Sequence, residues 1–411
     1  MITKKMYEKL AKLAIRKGVN LQKNQPLVID ANVRDVEFVR MCVKEAYEAG
    51  AKYVHIDWTD ESIRRMKYEY QSIETLQEIP QWFYDCTKYH NDDGACYLYI
   101  DSDKPNVLEG IDDEKLNAAN QAYRQKMDDL KTYTMTNKGQ WCIICVPSRE
   151  WASIVFPDLP IEEAYEKLGD EIFAATRVSE DNDPIKEWED HDNELIMHAK
   201  KLNEYNFKSL HFTSELGTDL TVELVENHVW VGGGSYRPDG VYFDCNMPTE
   251  ECFCMPKKTG VNGVVYASKP LSYNGKVIED FYFKFENGRV VEFDAKKEKD
   301  ALKSLLEFDE GSSYLGEVAL VPYDSPISKS NILFFNTLFD ENAACHLALG
   351  DSYPENVKGG VDMDEKELGS HGANSSMVHE DFMFGTKEMS IDGIQYDGTI
   401  IPIFRNGNFV F

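Results

Sequence analysis

Pro26-Leu27-Val28-Ile29-Asp30, residues 36–49 with Gly50 behind them, and Tyr53-Val54-His55-Ile56-Asp57-Trp58 read in turn as strand, helix, helix stop and strand. Glycine suits the stop because it enters the left-handed region without a Cβ penalty. Strands separated by a helix-length segment imply a βαβ unit, and so a parallel pair. The same alternation runs outward from this unit. A helix precedes it at residues 7–17, ending at Gly18, and a charged helix follows at 61–70. Further strands are expected at 96–100 and 141–146, with helices at 113–133 and 161–176. The acidic run 179–192, which contains Pro184, opens a long helix to about residue 203 that bridges to a second region.

From about residue 207 the texture changes. Short alternating segments at 209–214, 219–225, 228–231, 263–267, 277–285 and 289–293 read as strands, interrupted by helices near 296–305 and 341–349. The expected fold is an α/β N-terminal domain with a mostly parallel sheet (1–205), followed by a β-rich α+β catalytic domain (206–411). Gly232-Gly233-Gly234-Ser235 lacks the Gly-Lys-Ser/Thr of a phosphate loop and opens no helix, so a hairpin or close backbone approach is expected.

Composition narrows the partners. The 411 residues carry 44 Lys+Arg against 72 Asp+Glu, a net charge of −28. Nucleic-acid binding needs clustered cations, and an anionic membrane would repel this chain, so neither is an expected partner. With 42% hydrophobic residues the chain builds a core rather than remaining disordered. There is neither a signal-type apolar stretch nor a run of ~18 apolar residues, and nine scattered cysteines form no disulfide framework; a reducing cytoplasm fits. Cys142-Ile143-Ile144-Cys145 lies in an apolar run and reads as a buried strand. Cys252 and Cys254 read as buried small hydrophobes.

The suggestive chemistry falls in the second half. His379 and Asp381, two apart in an extended segment, project to one side and suit a divalent cation. In Tyr314-Leu315-Gly316-Glu317-Val318-Ala319-Leu320-Val321, alternation puts Leu315, Glu317, Ala319 and Val321 on one face and Gly316, Val318 and Leu320 on the other. A carboxylate inside such a strand needs a partner: an internal salt bridge, a proton, or a metal with each oxygen on a different ion. Asp340 to Gly350 reads as a helix capped by Asp340 and stopped by Gly350, with Glu341 near its start, His346 buried within it, and Tyr353 just beyond. Of Glu250 and Glu251, only one faces a given site if the segment is extended; a helix-opening turn is the alternative.

Four segments occur in order: Asn246-Met-Pro-Thr-Glu-Glu251, Gly316-Glu317-Val-Ala-Leu-Val321, Asp340-Glu-Asn-Ala-Ala-Cys-His346-Leu-Ala-Leu-Gly350 and Ser376-Met-Val-His379-Glu-Asp381-Phe-Met383. Together with Trp230-Val-Gly-Gly233 upstream, they resemble the thermophilic metallo-aminopeptidase family of the aminopeptidase T, aminopeptidase S and PepS type. The resemblance implies two divalent ions per chain (zinc, cobalt or manganese) held by Glu251, Glu317, His346, His379 and Asp381. Glu317 would bridge, and Glu341 matches a further acidic position that joins the ligand set. Tyr353 would stabilise the oxyanion, and Glu250 or a non-bridging carboxylate would carry the proton. It also implies a homodimer acting on short peptides with a free N-terminus. The thiols Cys252 and Cys254 depart from the family pattern and introduce an expectation of thiol sensitivity. The rival readings are a dinuclear phosphohydrolase and a non-catalytic metal- or peptide-binding relative.

Overall fold

The computed structural model describes residues 2–411. It divides into two compact units, Met1–His191 with Gly234–Pro248, and Asp192–Gly233 with Thr249–Phe411. Where the sequence reading places one boundary at 205/206, the chain crosses between units at 191/192, 233/234 and 248/249.

The first unit holds a five-stranded parallel sheet in the order Asn246–Met247, Trp141–Cys145, Cys96–Asp101, Leu27–Asn32, Val54–Thr59. Leu27, Ile29 and Ala31 share one core with Leu98, Ile100, Cys142 and Ile144. Val28 and Tyr97 fill a smaller cluster with Ala95. Strands buried on both faces need such near-continuous apolar runs. The helix Val36–Ala49 ends on Gly50 at φ 97°, whose N–H bonds back to Ala46 and Tyr47 carbonyls, as the glycine predicts. Cys142 and Cys145 lie buried in their strand as expected, and all nine cysteines are free. The long helix opens at Pro184 and runs to Tyr205. Helices Gln81–Asp92 and Arg149–Val155 were not anticipated.

In the second unit, nine strands form one antiparallel sheet, with Lys276–Glu286 pairing both Pro256–Tyr266 and Arg289–Lys297. A five-stranded antiparallel sheet carries the chemistry. Its order is His379–Met383, His346–Gly350, Leu315–Leu320, Cys252–Cys254, Val231–Gly232. Leu347, Leu349, Val318, Leu320 and Phe382 from these strands enter one hydrophobic core. The glycine run behaves as expected. A Cβ on Gly232 would fall 2.8 Å from Cys252 Sγ, and Ser235–Tyr236 pairs with Tyr242–Phe243 as a hairpin.

Two local expectations are corrected. Residues 346–350 form a strand, not the second half of a helix; the helix there is only Thr337–Glu341. Asp340 caps nothing downstream, because its carboxylate turns back to accept the N–H groups of Phe334 and Asn336. Ala and Leu favour helix weakly, but every residue of His346–Gly350 is buried between two flanking strands, and tertiary pairing outweighs propensity. The second correction concerns Leu315, which lies in the core with Val318 and Leu320 rather than beside Glu317. The register shifts between Leu315 and Glu317, so Gly316 and Glu317 together oppose Ala348. This bulge resets the alternation and aims Glu317 away from the core.

Candidate metal centre

The sheet register assembles the polar residues. Glu317 pairs with Ala348, and Ala348 pairs with Asp381, so the two carboxylates stand in one row with only a methyl between them. His346 lies two residues before Ala348, and His379 two before Asp381, which puts both imidazoles on the same face. Glu251 immediately precedes the strand Cys252–Cys254 on the far side of Leu315–Leu320. Five side chains, from four strands or strand ends, therefore meet on the face opposite the core.

Two overlapping groups result. Glu251, Glu317 and His346 offer ligand atoms within 4.8 Å of one another, and so do Glu317, His379 and Asp381. Glu317 belongs to both. Its Oε1 lies 3.7 Å from His346 Nε2 and its Oε2 lies 3.3 Å from His379 Nε2. Asp381 Oδ1 sits 4.0 Å from the first nitrogen and 3.6 Å from the second. Glu251 Oε2 is 3.0 Å from His346 Nε2.

Hydrogen bonds on the outer side of each ring decide what these nitrogens present. His346 Nδ1 is 2.9 Å from the Glu341 carbonyl oxygen, and His379 Nδ1 is 2.8 Å from that of Asp351. A carbonyl can only accept, so each Nδ1 carries a proton and each ring turns Nε2 inward, as a lone pair when the ring is neutral and as a second N–H when it is protonated. With neutral rings, the interior is a set of acceptors facing acceptors. Glu251 Oε2 and Asp381 Oδ1 are buried without any hydrogen-bond donor. Protons or cations must lie between them, since unpaired buried charges cost several kcal/mol each.

Electrostatics express the same tension. Burial by itself would lower both imidazoles, but Glu251, Glu317 and Asp381 hold His346 well above the ordinary histidine value, and Asp381 and Glu317 do so for His379. Burial would raise Glu317, yet the two imidazoles bring its carboxyl down to about 2. Burial dominates for Glu251 and Glu341, both pushed up, with Asp381 adding to the rise on Glu341. Divalent cations fit this donor set. It offers carboxylates and outward-pinned imidazoles and no thiolate, which suits a cation that takes oxygen and nitrogen ligands.

Glu341 lies outside both groups, with Oε1 3.4 Å from Asn342 Nδ2. Tyr353 flanks His379, ring centroids 4.8 Å apart, and Phe253 at 5.8 Å. Burial and then the carboxylates of Glu317 and Asp381 hold its phenol far above its usual range, so it remains an O–H donor. Glu250 is buried, and its N–H donates to Asn342 Oδ1 at 2.7 Å, tying the 249–251 segment to the helix Thr337–Glu341. Cys252 and Cys254 are wholly buried, with thiols raised by desolvation, which shields them from reagents and removes the basis for thiol sensitivity.

Three supporting residues escaped the sequence reading. Asp351 acts through its backbone carbonyl, which composition cannot reveal. Asn342 is the second, bonding Leu338 O and Glu250 N. Asn374 is the third, its Nδ2 donating to Gly350 O at 2.6 Å and Gly311 O at 2.8 Å, which fixes the exit of the strand that carries His346.

Comparison with known proteins agrees with this geometry. Residues 3–409 match the family described as thermophilic metalloprotease (M29). The chain is 48% identical over 401 residues to aminopeptidase AmpS of Bacillus subtilis (strain 168), covering 98% of this chain and 97% of that one. It is 43% identical over 407 residues to aminopeptidase 2 of Geobacillus stearothermophilus, covering 99% and 98%. Among solved structures, wild-type AmpT from Thermus thermophilus superposes with a TM-score of 0.92 at 39% identity, covering 99% of this chain and all of that one.

Proposed function

The chain belongs to the thermophilic metalloprotease (M29) family and is a metal-dependent aminopeptidase, and from that premise we propose that it removes the N-terminal residue of short peptides at a centre of two divalent cations. Glu251, Glu317 and His346 would hold one cation, and Glu317, His379 and Asp381 the other. The observation that carries this reading is Glu317, whose two oxygens face two different imidazoles.

Cations held there would supply polarisation of the scissile carbonyl and a water made nucleophilic near neutral pH. The protein's own groups supply the rest. Tyr353 donates its O–H to the carbonyl oxygen as negative charge gathers on it. Glu341 takes the proton of the attacking water and returns it to the leaving amine. Burial, then Asp381 and Glu251, push the Glu341 carboxyl up, and Glu250, buried in the same segment as Glu251, is the alternative for this role. The surplus of carboxylates attracts the substrate's α-ammonium, which restricts cleavage to a free N-terminus. A homodimer in the cytoplasm completes the proposal; free thiols throughout support a reducing compartment. No helix among the described residues is long and apolar enough to cross a membrane.

The test compares an aminoacyl peptide with its N-acetylated form on metal-loaded enzyme, alongside metal content per chain. Rapid cleavage of the free-amine form with about two ions per chain is expected. Equal cleavage of both forms, or full activity with fewer than about one ion per chain, would overturn it.

A further inference from the structure

The first unit gathers three other ligand-type side chains. One ring nitrogen each from His55 and His90 and the Sγ of Cys86 all lie within 4.8 Å of one another. Secondary structure brings them together. Cys86 and His90 are four apart on the helix Gln81–Asp92 and so share a face, while His55 stands on Val54–Thr59, the edge strand of the parallel sheet. The two imidazole rings lie 4.8 Å apart, inclined by 32°.

Neighbouring hydrogen bonds fix both tautomers. Lys52 Nζ donates to both oxygens of Asp93, at 2.6 and 2.8 Å, and Tyr53 donates its phenolic proton to Asp93 Oδ2 at 3.1 Å. With that proton committed, the Tyr53 oxygen accepts from His90 Nδ1–H at 3.3 Å, leaving Nε2 as the lone-pair nitrogen. On the other ring, His55 Nε2–H donates to Asp57 Oδ1 at 3.0 Å, leaving Nδ1. An imidazole whose outer N–H is held by a carboxylate or another fixed acceptor is the usual state of a metal-ligating histidine. One ring nitrogen of each histidine and the Cys86 sulfur therefore share one small space, and each ring keeps one nitrogen free to ligate.

We propose that His55, Cys86 and His90 form a second cation site, for a single thiophilic divalent ion of the zinc type, with solvent in the fourth position. On binding, the Cys86 S–H bond breaks, its proton passes to solvent, and sulfur bonds the cation. The centre then carries +2 − 1 = +1, which Asp57 beside His55 offsets. Ligand lengths of about 2.0–2.3 Å call for a small inward movement of the three side chains. His55 is 39% exposed, so the site opens to solvent. A thiolate with two imidazoles selects zinc over magnesium or manganese, unlike the carboxylate centre. The bound ion pins the helix Gln81–Asp92 to the sheet's open edge, a role separate from peptide cleavage.

Cobalt(II) added to chelated, dialysed full-length protein tests this, because thiolate ligation gives a sulfur-to-cobalt charge-transfer band that carboxylate and imidazole ligands do not. The expected band saturates at one equivalent, survives in Glu317→Gln, and disappears in Cys86→Ser. Cys86→Ser should also hold one zinc ion fewer per chain by elemental analysis while keeping its aminopeptidase turnover within about twofold. His55→Ala, on the exposed edge, should lose the same band and serves if Cys86→Ser fails to fold. Absence of the band in the unaltered chain, or its persistence in Cys86→Ser, would overturn the proposal.

Discussion

The Nδ1–H of His379 is held by the carbonyl oxygen of Asp351 at 2.8 Å, and this contact decides which ring nitrogen faces Glu317. The same carbonyl oxygen marks the limit of space around Gly316, where an added Cβ would fall 2.0 Å away. The bulge that aims Glu317 and the acceptor that aims His379 thus depend on one missing side chain.

Gly316→Ala should therefore weaken metal binding without touching a ligand. Displacing the Asp351 carbonyl frees the His379 ring, and loss of such an outer acceptor costs about 10–100-fold in affinity. Titration of the chelated variant with zinc, with circular dichroism as a fold control, measures it. Unchanged affinity in a folded variant would refute the coupling.

Glu317→Gln keeps the shape of the side chain and removes the charge both groups share. We expect kcat/KM to fall by more than about a hundredfold, together with loss of metal from the purified protein. A folded variant that retained full activity would rule out a bridging role.

Tyr353→Phe retains the ring contacts with His379 and Phe253 but removes the donor. If the phenol stabilises the oxyanion, kcat should drop about 10²–10³-fold with KM and metal content nearly unchanged. A rise in KM alone would instead assign Tyr353 to substrate binding.

Asp30, on a strand of the first unit, offers a pH test that uses no candidate metal ligand. Burial first, then Asp57, Asp103 and Asp101, push its carboxyl up to about 6. A folded value raised above the unfolded one favours the protonated form, so its contribution is complete below about pH 4 and is lost as pH rises through about 6. Asp30→Asn cannot ionise and should gain about 1 kcal/mol over the unaltered chain at neutral pH, after allowing for solvent on its open side, and almost nothing near pH 4. Urea unfolding at the two pH values gives the comparison. An equal difference at both would exclude ionisation of Asp30 as the cause.

Much of this architecture was legible from residue order. The βαβ alternation needs only apolar runs and a glycine stop, and both were visible around residues 26–58. His379 and Asp381 were readable as a pair because a strand repeats every two residues. What escaped notice is what local pattern cannot encode. The strand His346–Gly350 is composed of helix-favouring residues and becomes a strand only because neighbours pair with it on both sides. Leu315 falls on the core face, against simple alternation, because a bulge at Gly316 resets the count. The outer acceptors of the two histidines are backbone carbonyls, present at every residue and therefore silent in the sequence.

That middle strand has a final consequence. His346 and Ala348 face the candidate metal centre while Leu347 and Leu349 fill the core, so a slip of one residue would exchange polar groups for leucines and core for charge. No version of the strand keeps one face and loses the other. An aminopeptidase assay on refolded protein is accordingly also a proofreading signal: turnover certifies that the strand His346–Gly350 has found its register.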